Sequence, residues 1–198
     1  MKHYPLNALL SRMKYIPRWS LMRATRTESL CEHTAETAML AHMLGALSVH
    51  SFGTNVRPET LVVAALYHDA SEILTGDMPT PVKYKSEPLR KAYKALEHDA
   101  SASLATLLPD DAQSSIGAHL RGDVLTEKEA QLLKAADRLS ALIKCIEEEQ
   151  SGNREFAGAK AQQTEALHAM QCPEAEYFME HMLPCYTWTL DELSAQWQ

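Results

Sequence analysis

The 198-residue sequence has no apolar run approaching the roughly 18 residues that a membrane-spanning helix requires. Its first residues, MKHYPLNALLSRMKYIPRWS, also lack the continuous apolar stretch of a signal peptide, so no membrane association and a cytoplasmic location are expected. The four cysteines, Cys31, Cys145, Cys172 and Cys185, form no C-x-x-C pair, which excludes a zinc ribbon and a dithiol redox motif and fits a reducing compartment. Positive charge is scarce: 19 Lys and Arg stand against 26 Asp and Glu, a net charge of −7, and no basic tract is dense enough to follow a phosphate backbone. A nucleic-acid polymer is therefore not an expected partner. A small phosphorylated molecule is still possible, because one or two well-placed Arg or Lys and a metal ion can serve it. Alternating β-branched runs are nearly absent, as are internal repeats, low-complexity tracts and linkers.

What is present is helical periodicity. Apolar residues recur at three- and four-residue spacing through most of the chain, which predicts an all-α protein folded as one domain over residues 1–198. A first helix carries Leu6, Leu9, Leu10 and Met13 and stops before Pro17, leaving Arg18 and Trp19 on a connector. Ser29 and Glu32 have capping-box spacing and open a helix through Met39, Met43 and Leu47 towards Gly53. Pro58 suits the first position of a third helix, whose run from Leu61 to Leu66 reads as buried on nearly every side and ends at His68 and Asp69. After a short segment from Ala70 to Leu74, the stretch Thr75 to Pro81 is expected to be a stiff loop, kept from helix by Gly76, Pro79 and Pro81. A long helix then runs from Leu89 to Leu107, and a second capping box, Thr126 with Glu129, opens another that carries Asp137 and ends at Gly152. The remainder, from Asn153 to Gln198, reads as two helices broken at Cys172 and Pro173 with a short turn near Asp191, and shows no catalytic pattern.

His68 and Asp69 follow directly on an apolar helix, where burial without partners would cost several kcal/mol, so they require partners. Alone, the pair also fits a core histidine beside a helix-capping aspartate. Its context points further: His33 lies early in one helix, His68-Asp69 at the end of the next, and Asp137 within a later one, so three elements are able to converge on one ion. Imidazole nitrogen with carboxylate oxygen suits Mn, Fe, Co or Zn better than Ca or Mg, and such a mixed shell leaves positions open, in the manner of a catalytic site. On a helical wheel Asp137 falls off the centre of the Leu132, Ala136, Leu139, Ile143 stripe and reads as a flank charge pairing with Lys134. His42, nine residues after His33, falls on the opposite helix face and is left out of the site. Glu72, three residues after Asp69, shares its face if the segment is helical; an ordinary solvated glutamate is the alternative. Arg18 offers a planar donor fork for phosphate and Trp19 a flat face for a base, though a surface arginine and a core tryptophan read equally well. Asp77 suits a sugar hydroxyl or simply a turn.

The spaced pattern of His33, His68-Asp69 and Asp137 resembles the H…HD…D signature of the HD-domain metal-dependent phosphohydrolases. Arg18-Trp19, RTESLCEH (Arg26 to His33), YHDASEIL (Tyr67 to Leu74) and GDMPTPVK (Gly76 to Lys83) together resemble the bacterial 5'-deoxynucleotidase branch, over nearly the whole chain. This resemblance implies an all-helical HD-domain bundle, one divalent transition-metal ion such as cobalt or manganese, a homodimer, and hydrolysis of deoxyribonucleoside 5'-monophosphates to deoxynucleoside and phosphate. Matched residue by residue, it makes His33, His68, Asp69 and Asp137 the metal ligands and Glu72 the acid/base group. Arg18 would orient the phosphate, Trp19 would contact sugar and base, and Asp77, Met78, Pro79 and Thr80 would complete the substrate pocket, with Asp69 also facing substrate. The chain has Cys31 where the family usually has Ser, and Ser20 where it commonly has Pro. Two other readings stay open: the same fold and ion acting on cyclic nucleotides or nucleoside triphosphates, and a non-catalytic helical interaction protein.

Overall fold

Strong start and stop signals divide the chain into helices in the computed structural model, which describes residues 1–83 and 85–197; Gln198, at the end of the last expected segment, lies outside the described residues. Helix α1 (Leu6–Leu10) runs on as a 3-10 turn (Ser11–Tyr15), followed by α2 (Leu30–His50), α3 (Pro58–Tyr67), α4 (Glu72–Thr75) and α5 (Thr80–Lys83). Then come α6 (Glu87–Ala105), α7 (Ala118–Arg121), α8 (Glu127–Gln150), α9 (Ala157–Ala169), α10 (Pro173–His181) and α11 (Leu190–Ser194). Among the described residues there is no strand, only an isolated antiparallel bridge between Pro17 and Ser29. The all-α expectation holds, and no helix among the described residues is long and apolar enough to cross a membrane.

The two long helices begin as their capping boxes direct. Ser29 Oγ accepts from Glu32 N at 3.2 Å while Glu32 Oε2 accepts from Ser29 N at 2.7 Å, so two otherwise orphaned donors are satisfied. Thr126 and Glu129 repeat the arrangement at α8. The core forms where the buried stripe of α8 (Leu132, Ala135, Ala136, Leu139, Leu142, Ile143) meets Ala38, Ala41 and Leu44 of α2, Leu61 and Ala65 of α3, and Phe178 of α10. A Cβ added at Gly45 of α2 would lie 3.0 Å from Leu61 Cδ1 and 3.1 Å from Pro58 Cα, so the missing side chain is what lets α2 and α3 approach so closely. A smaller cluster of Leu6, Ala70, Leu104, Ala105, Leu108 and Leu120 ties α1 and α6 to the turn after Asp69.

Two local expectations need correction. The α3 run is not buried on nearly every side: Leu61, Ala64 and Ala65 face the core, while Val63 and Leu66 stay 36% and 44% exposed. Composition alone does not say which sides of an apolar helix find a neighbour. The stretch Thr75 to Pro81 is not loop throughout, because Thr80–Lys83 forms a helical turn. Pro81 stands second in that turn, where no backbone amide has an intrahelical acceptor, so its missing N–H costs nothing there. Gly76, at φ +73°, makes the break after α4.

The connector between Pro17 and Ser29 is pinned rather than free. Lys144 and Glu148, one turn apart on α8 and both buried, pair at 2.6 Å. Lys144 Nζ also donates to Arg26 O at 2.7 Å, and Glu148 Oε2 accepts from Thr25 N at 2.8 Å and Thr25 Oγ1 at 2.9 Å. Paired with each other and hydrogen-bonded to the connector, these buried charges fix it against α8 and so place Arg18 and Trp19.

Candidate metal centre and substrate cleft

Two helix ends and one helix midpoint meet at a single point. His33 sits in the first turn of α2, set by the Ser29 cap; His68 is the C-terminal cap of α3, with Asp69 next to it; Asp137 projects from the middle of α8. His33 Nε2 lies 3.5 Å from Asp69 Oδ2 and 3.3 Å from Asp137 Oδ1, and His68 Nε2 lies 3.1 Å from Asp69 Oδ2. One ligand atom each from His33, His68 and Asp69 falls within 4.8 Å of the others. Asp137 stands at the edge of this set: one oxygen reaches His33 and the other takes Lys134 Nζ at 2.6 Å. The flank-charge reading and the cluster reading of Asp137 thus both describe it.

The hydrogen bonds around the imidazoles decide which nitrogens are free. His68 Nδ1 lies 2.7 Å from Ala65 O, a pure acceptor, so Nδ1 carries the hydrogen. Ser140 Oγ donates to Glu36 Oε2 at 2.6 Å, which leaves it to accept from His33 Nδ1 at 2.9 Å. In the neutral rings both Nε2 atoms are then bare lone pairs aimed at the carboxylates of Asp69 and Asp137. His68 Nε2 is buried with no hydrogen-bond partner among the described residues. These buried groups need a positive charge between them, which a proton on His33 or a metal ion can supply, and the donor set of two imidazoles and two carboxylates suits a first-row divalent ion.

The electrostatics follow from that crowding. Burial would raise the Asp69 carboxyl, but the adjoining His68 and His33 outweigh it and hold it well below the usual carboxylate range. Asp137 is likewise depressed, burial being overcome by Lys134 and His33. Burial disfavours charge on His33, yet the carboxylates of Asp137 and Asp69 raise it to about 9. Glu72 moves the other way: burial, then repulsion from Asp69 and Asp77, push its carboxyl above the usual range despite Arg18 and Lys83. Glu72 is only 6% exposed and its Oε2 has no hydrogen-bond partner among the described residues, so it is not the solvated glutamate that its sequence context also allowed.

A cleft of about 400 Å³ opens beside the cluster. Arg18, Trp19, Asp69, Glu72, Asp77, Met78, Pro79, Thr80 and Asp137 all line it, while His33 lies fully buried behind them. Arg18 Nη1 lies 3.7 Å from Asp69 Oδ2, and Arg18 Nε and Trp19 Nε1 approach Glu28 Oε2 at 3.3 and 2.8 Å. Trp19 is half-buried with its ring centroid 5.2 Å from that of Phe156, so neither a plain surface arginine nor a plain core tryptophan describes the pair. Lys134, named from the sequence only as the partner of Asp137, also lines the cleft, as do Lys83, Arg138, Gly158, Ala159, Gln162 and Gln163, to which the sequence reading assigned no role. Position gave some hint for Lys83, inside the GDMPTPVK stretch, and for Arg138, beside Asp137; the α9 residues carried no signal. Cys31 and Ser20 are both exposed and the Ser29 cap is intact, so neither departure disturbs the site. His42 is exposed and takes no part in the cluster.

Residues 5–186 match the family model described as 5'-deoxynucleotidase YfbR-like. The chain is 43% identical over 194 residues, 98% of each protein, to the 5'-deoxynucleotidase YfbR of Escherichia coli O127:H6. Among solved structures it is similar to an HD-domain phosphohydrolase from Listeria innocua, with TM-score 0.78 and 26% identity, covering 91% of this chain and 87% of that one. The fold is shared with the cyanophage S-2L HD phosphohydrolase DatZ, which is bound to dA and one catalytic Zn2+ ion, at TM-score 0.65 and 18% identity over 89% and 95% of the two chains. The chain belongs to the YfbR-like 5'-deoxynucleotidase family, on the HD-domain phosphohydrolase fold.

Proposed function

We propose that the chain hydrolyses deoxyribonucleoside 5'-monophosphates to the deoxynucleoside and inorganic phosphate. The observation that carries this reading is the meeting of His33, His68, Asp69 and Asp137 at the floor of a cleft whose walls hold Arg18, Trp19, Glu72 and Asp77. Those four residues would hold one divalent ion of the cobalt or manganese class, whose Lewis acidity would polarise the phosphate and the attacking water. Arg18 pairs with phosphate oxygens and balances their charge. Glu72 handles the protons of the step: one leaves the attacking water as its oxygen bonds to phosphorus, and one is delivered to the 5'-oxygen as its bond to phosphorus breaks, so that the nucleoside departs as the alcohol. Trp19 offers its ring to the sugar and base, and Asp77 takes a hydrogen bond from a sugar hydroxyl. Met78, Pro79 and Thr80 close the pocket on a loop that Pro79 and the α5 turn keep stiff.

The reading includes one domain over residues 1–198, a cytoplasmic location and a homodimer. Met39 and Met43, one turn apart on α2, and Val63 and Leu66 on α3 are exposed apolar side chains of the kind that a second copy would cover. Sedimentation equilibrium tests the dimer. The function is tested by chromatographic analysis of all products, nucleoside, nucleotide and free phosphate, from deoxy and ribo 5'-monophosphates, diphosphates, triphosphates and cyclic diesters assayed side by side with added Mn or Co. Release from the deoxy 5'-monophosphates in preference to all others is the expected result. Activity confined to triphosphates or cyclic diesters would contradict it.

A further inference from the structure

Arg18 and Trp19 are neighbours in sequence, and both line the same cleft. That arrangement needs help, because Trp19 adopts φ +60°, a left-handed conformation that a bulky side chain disfavours. The residue positioned to supply it is Glu28, only 7% exposed, at the far end of the connector. Glu28 O accepts from Arg18 N at 2.9 Å, closing the connector on itself. The single carboxylate oxygen Oε2 accepts from both Arg18 Nε at 3.3 Å and Trp19 Nε1 at 2.8 Å. Phe156 packs against the indole, with centroids 5.2 Å apart.

The chemistry of the guanidinium makes this choice of atom informative. A carboxylate at Nε leaves the Nη1/Nη2 edge free, and that edge is the one that matches two phosphate oxygens. Arg18 Nη1 points to the metal-ligand cluster, 3.7 Å from Asp69 Oδ2, and among the described residues no hydrogen bond engages either Nη. One buried oxygen therefore fixes the direction of the fork and the plane of the indole together.

We propose that Glu28 is the positioning residue of the substrate end of the cleft, holding Arg18 for the phosphate and Trp19 for the nucleoside through one shared carboxylate oxygen. This rests on the proposed function for its substrate, though not for its phosphate-binding component.

The test is a double-mutant cycle on the full-length, metal-loaded chain, read as affinity for inorganic phosphate and as kcat/KM for deoxyadenosine 5'-monophosphate. Glu28→Gln preserves size and one acceptor but removes the charge. It is expected to leave metal content and the circular dichroism spectrum unchanged, to weaken phosphate affinity by about tenfold, and to lower kcat/KM by on the order of 10- to 100-fold, as misplacement of a bound group does. In an Arg18→Ala background the same substitution should change phosphate affinity by less than about threefold, because the group through which Glu28 acts is gone. An equal loss in both backgrounds, or a Glu28→Gln protein within about threefold of wild type, overturns the proposal. If Glu28→Gln does not fold, Glu28→Asp, which keeps the charge and shortens the reach, carries the same cycle; failure of both to fold makes Glu28 a structural residue and overturns the proposal as well. A wild-type chain that binds phosphate but hydrolyses no nucleotide would count against the proposed function alone, since the phosphate-affinity cycle would still decide the role of Glu28.

Discussion

Replacing Ser140 with alanine should weaken metal binding without touching any group able to hold the ion. Ser140 Oγ takes the His33 Nδ1 hydrogen at 2.9 Å and passes its own to Glu36 Oε2 at 2.6 Å, so the hydroxyl fixes both the tautomer and the ring plane of His33. Removing a partner of this kind costs about 10- to 100-fold in metal affinity, equivalent to roughly 1.4 to 2.7 kcal/mol. The structure decides where in that range the variant falls. Thr37 Oγ1 stands 3.4 Å from the same nitrogen and can take over part of the bond, so Ser140→Ala alone should lie near tenfold. With Thr37→Val added, the Nδ1 hydrogen is left buried and unpaired, and the loss should approach 100-fold. Competition with a metal-chelating dye measures the dissociation constant, and circular dichroism controls for folding. A double variant that binds metal within about threefold of wild type would refute the assignment of His33 Nε2 as a ligand atom held in place through Nδ1.

Glu72→Gln should retain full metal content while phosphate release falls by on the order of 10²- to 10⁴-fold, the range for losing an acid/base group; undiminished release would remove Glu72 from the mechanism. Glu129 is held at about 2 chiefly by hydrogen bonds from Arg57, against 4.5 ordinarily, so its contribution to stability is fully present above about pH 4.5 and lost as pH falls towards 2. Allowing for the half-exposed Arg57, Glu129→Gln should cost about 2 kcal/mol in urea denaturation near pH 7 and little near pH 2; an equal loss at both would contradict this. Gly45→Ala should destabilise by about 1–3 kcal/mol through overpacking against Pro58 and Leu61, although helix propensity alone predicts a gain of about 1, so the sign of the change in denaturation midpoint is decisive.

Local rules made much of this fold readable. Ser29 with Glu32, Thr126 with Glu129, and Pro58 each act within one helical turn, so the starts of α2, α8 and α3 stand where the residues place them. The His68-Asp69 pair was legible because two strongly polar residues after an apolar run need partners. What depends on distant neighbours was not. The wheel position of Asp137 gives its direction from the α8 axis, but not the buried imidazole of α2 that meets it there. The exposure of Val63 and Leu66 depends on what packs outside α3, and the turn at Thr80–Lys83 on where Pro81 falls within it. Glu28 carries no signal of its own in the sequence, because its partners are defined by the path of the connector, which Lys144 and Glu148 fix from more than a hundred residues away.

One cation shared by four side chains is the central requirement of the proposed reaction, and its most direct test is the metal content of the purified chain after loading with cobalt or manganese and removal of excess, measured for wild type and for Asp137→Ala. One equivalent of metal is expected in the wild-type protein. In a folded Asp137→Ala variant, loss of that metal together with phosphate release is expected. A wild-type chain that releases phosphate without bound metal, or an Asp137→Ala variant that keeps both its metal and its activity, would contradict it.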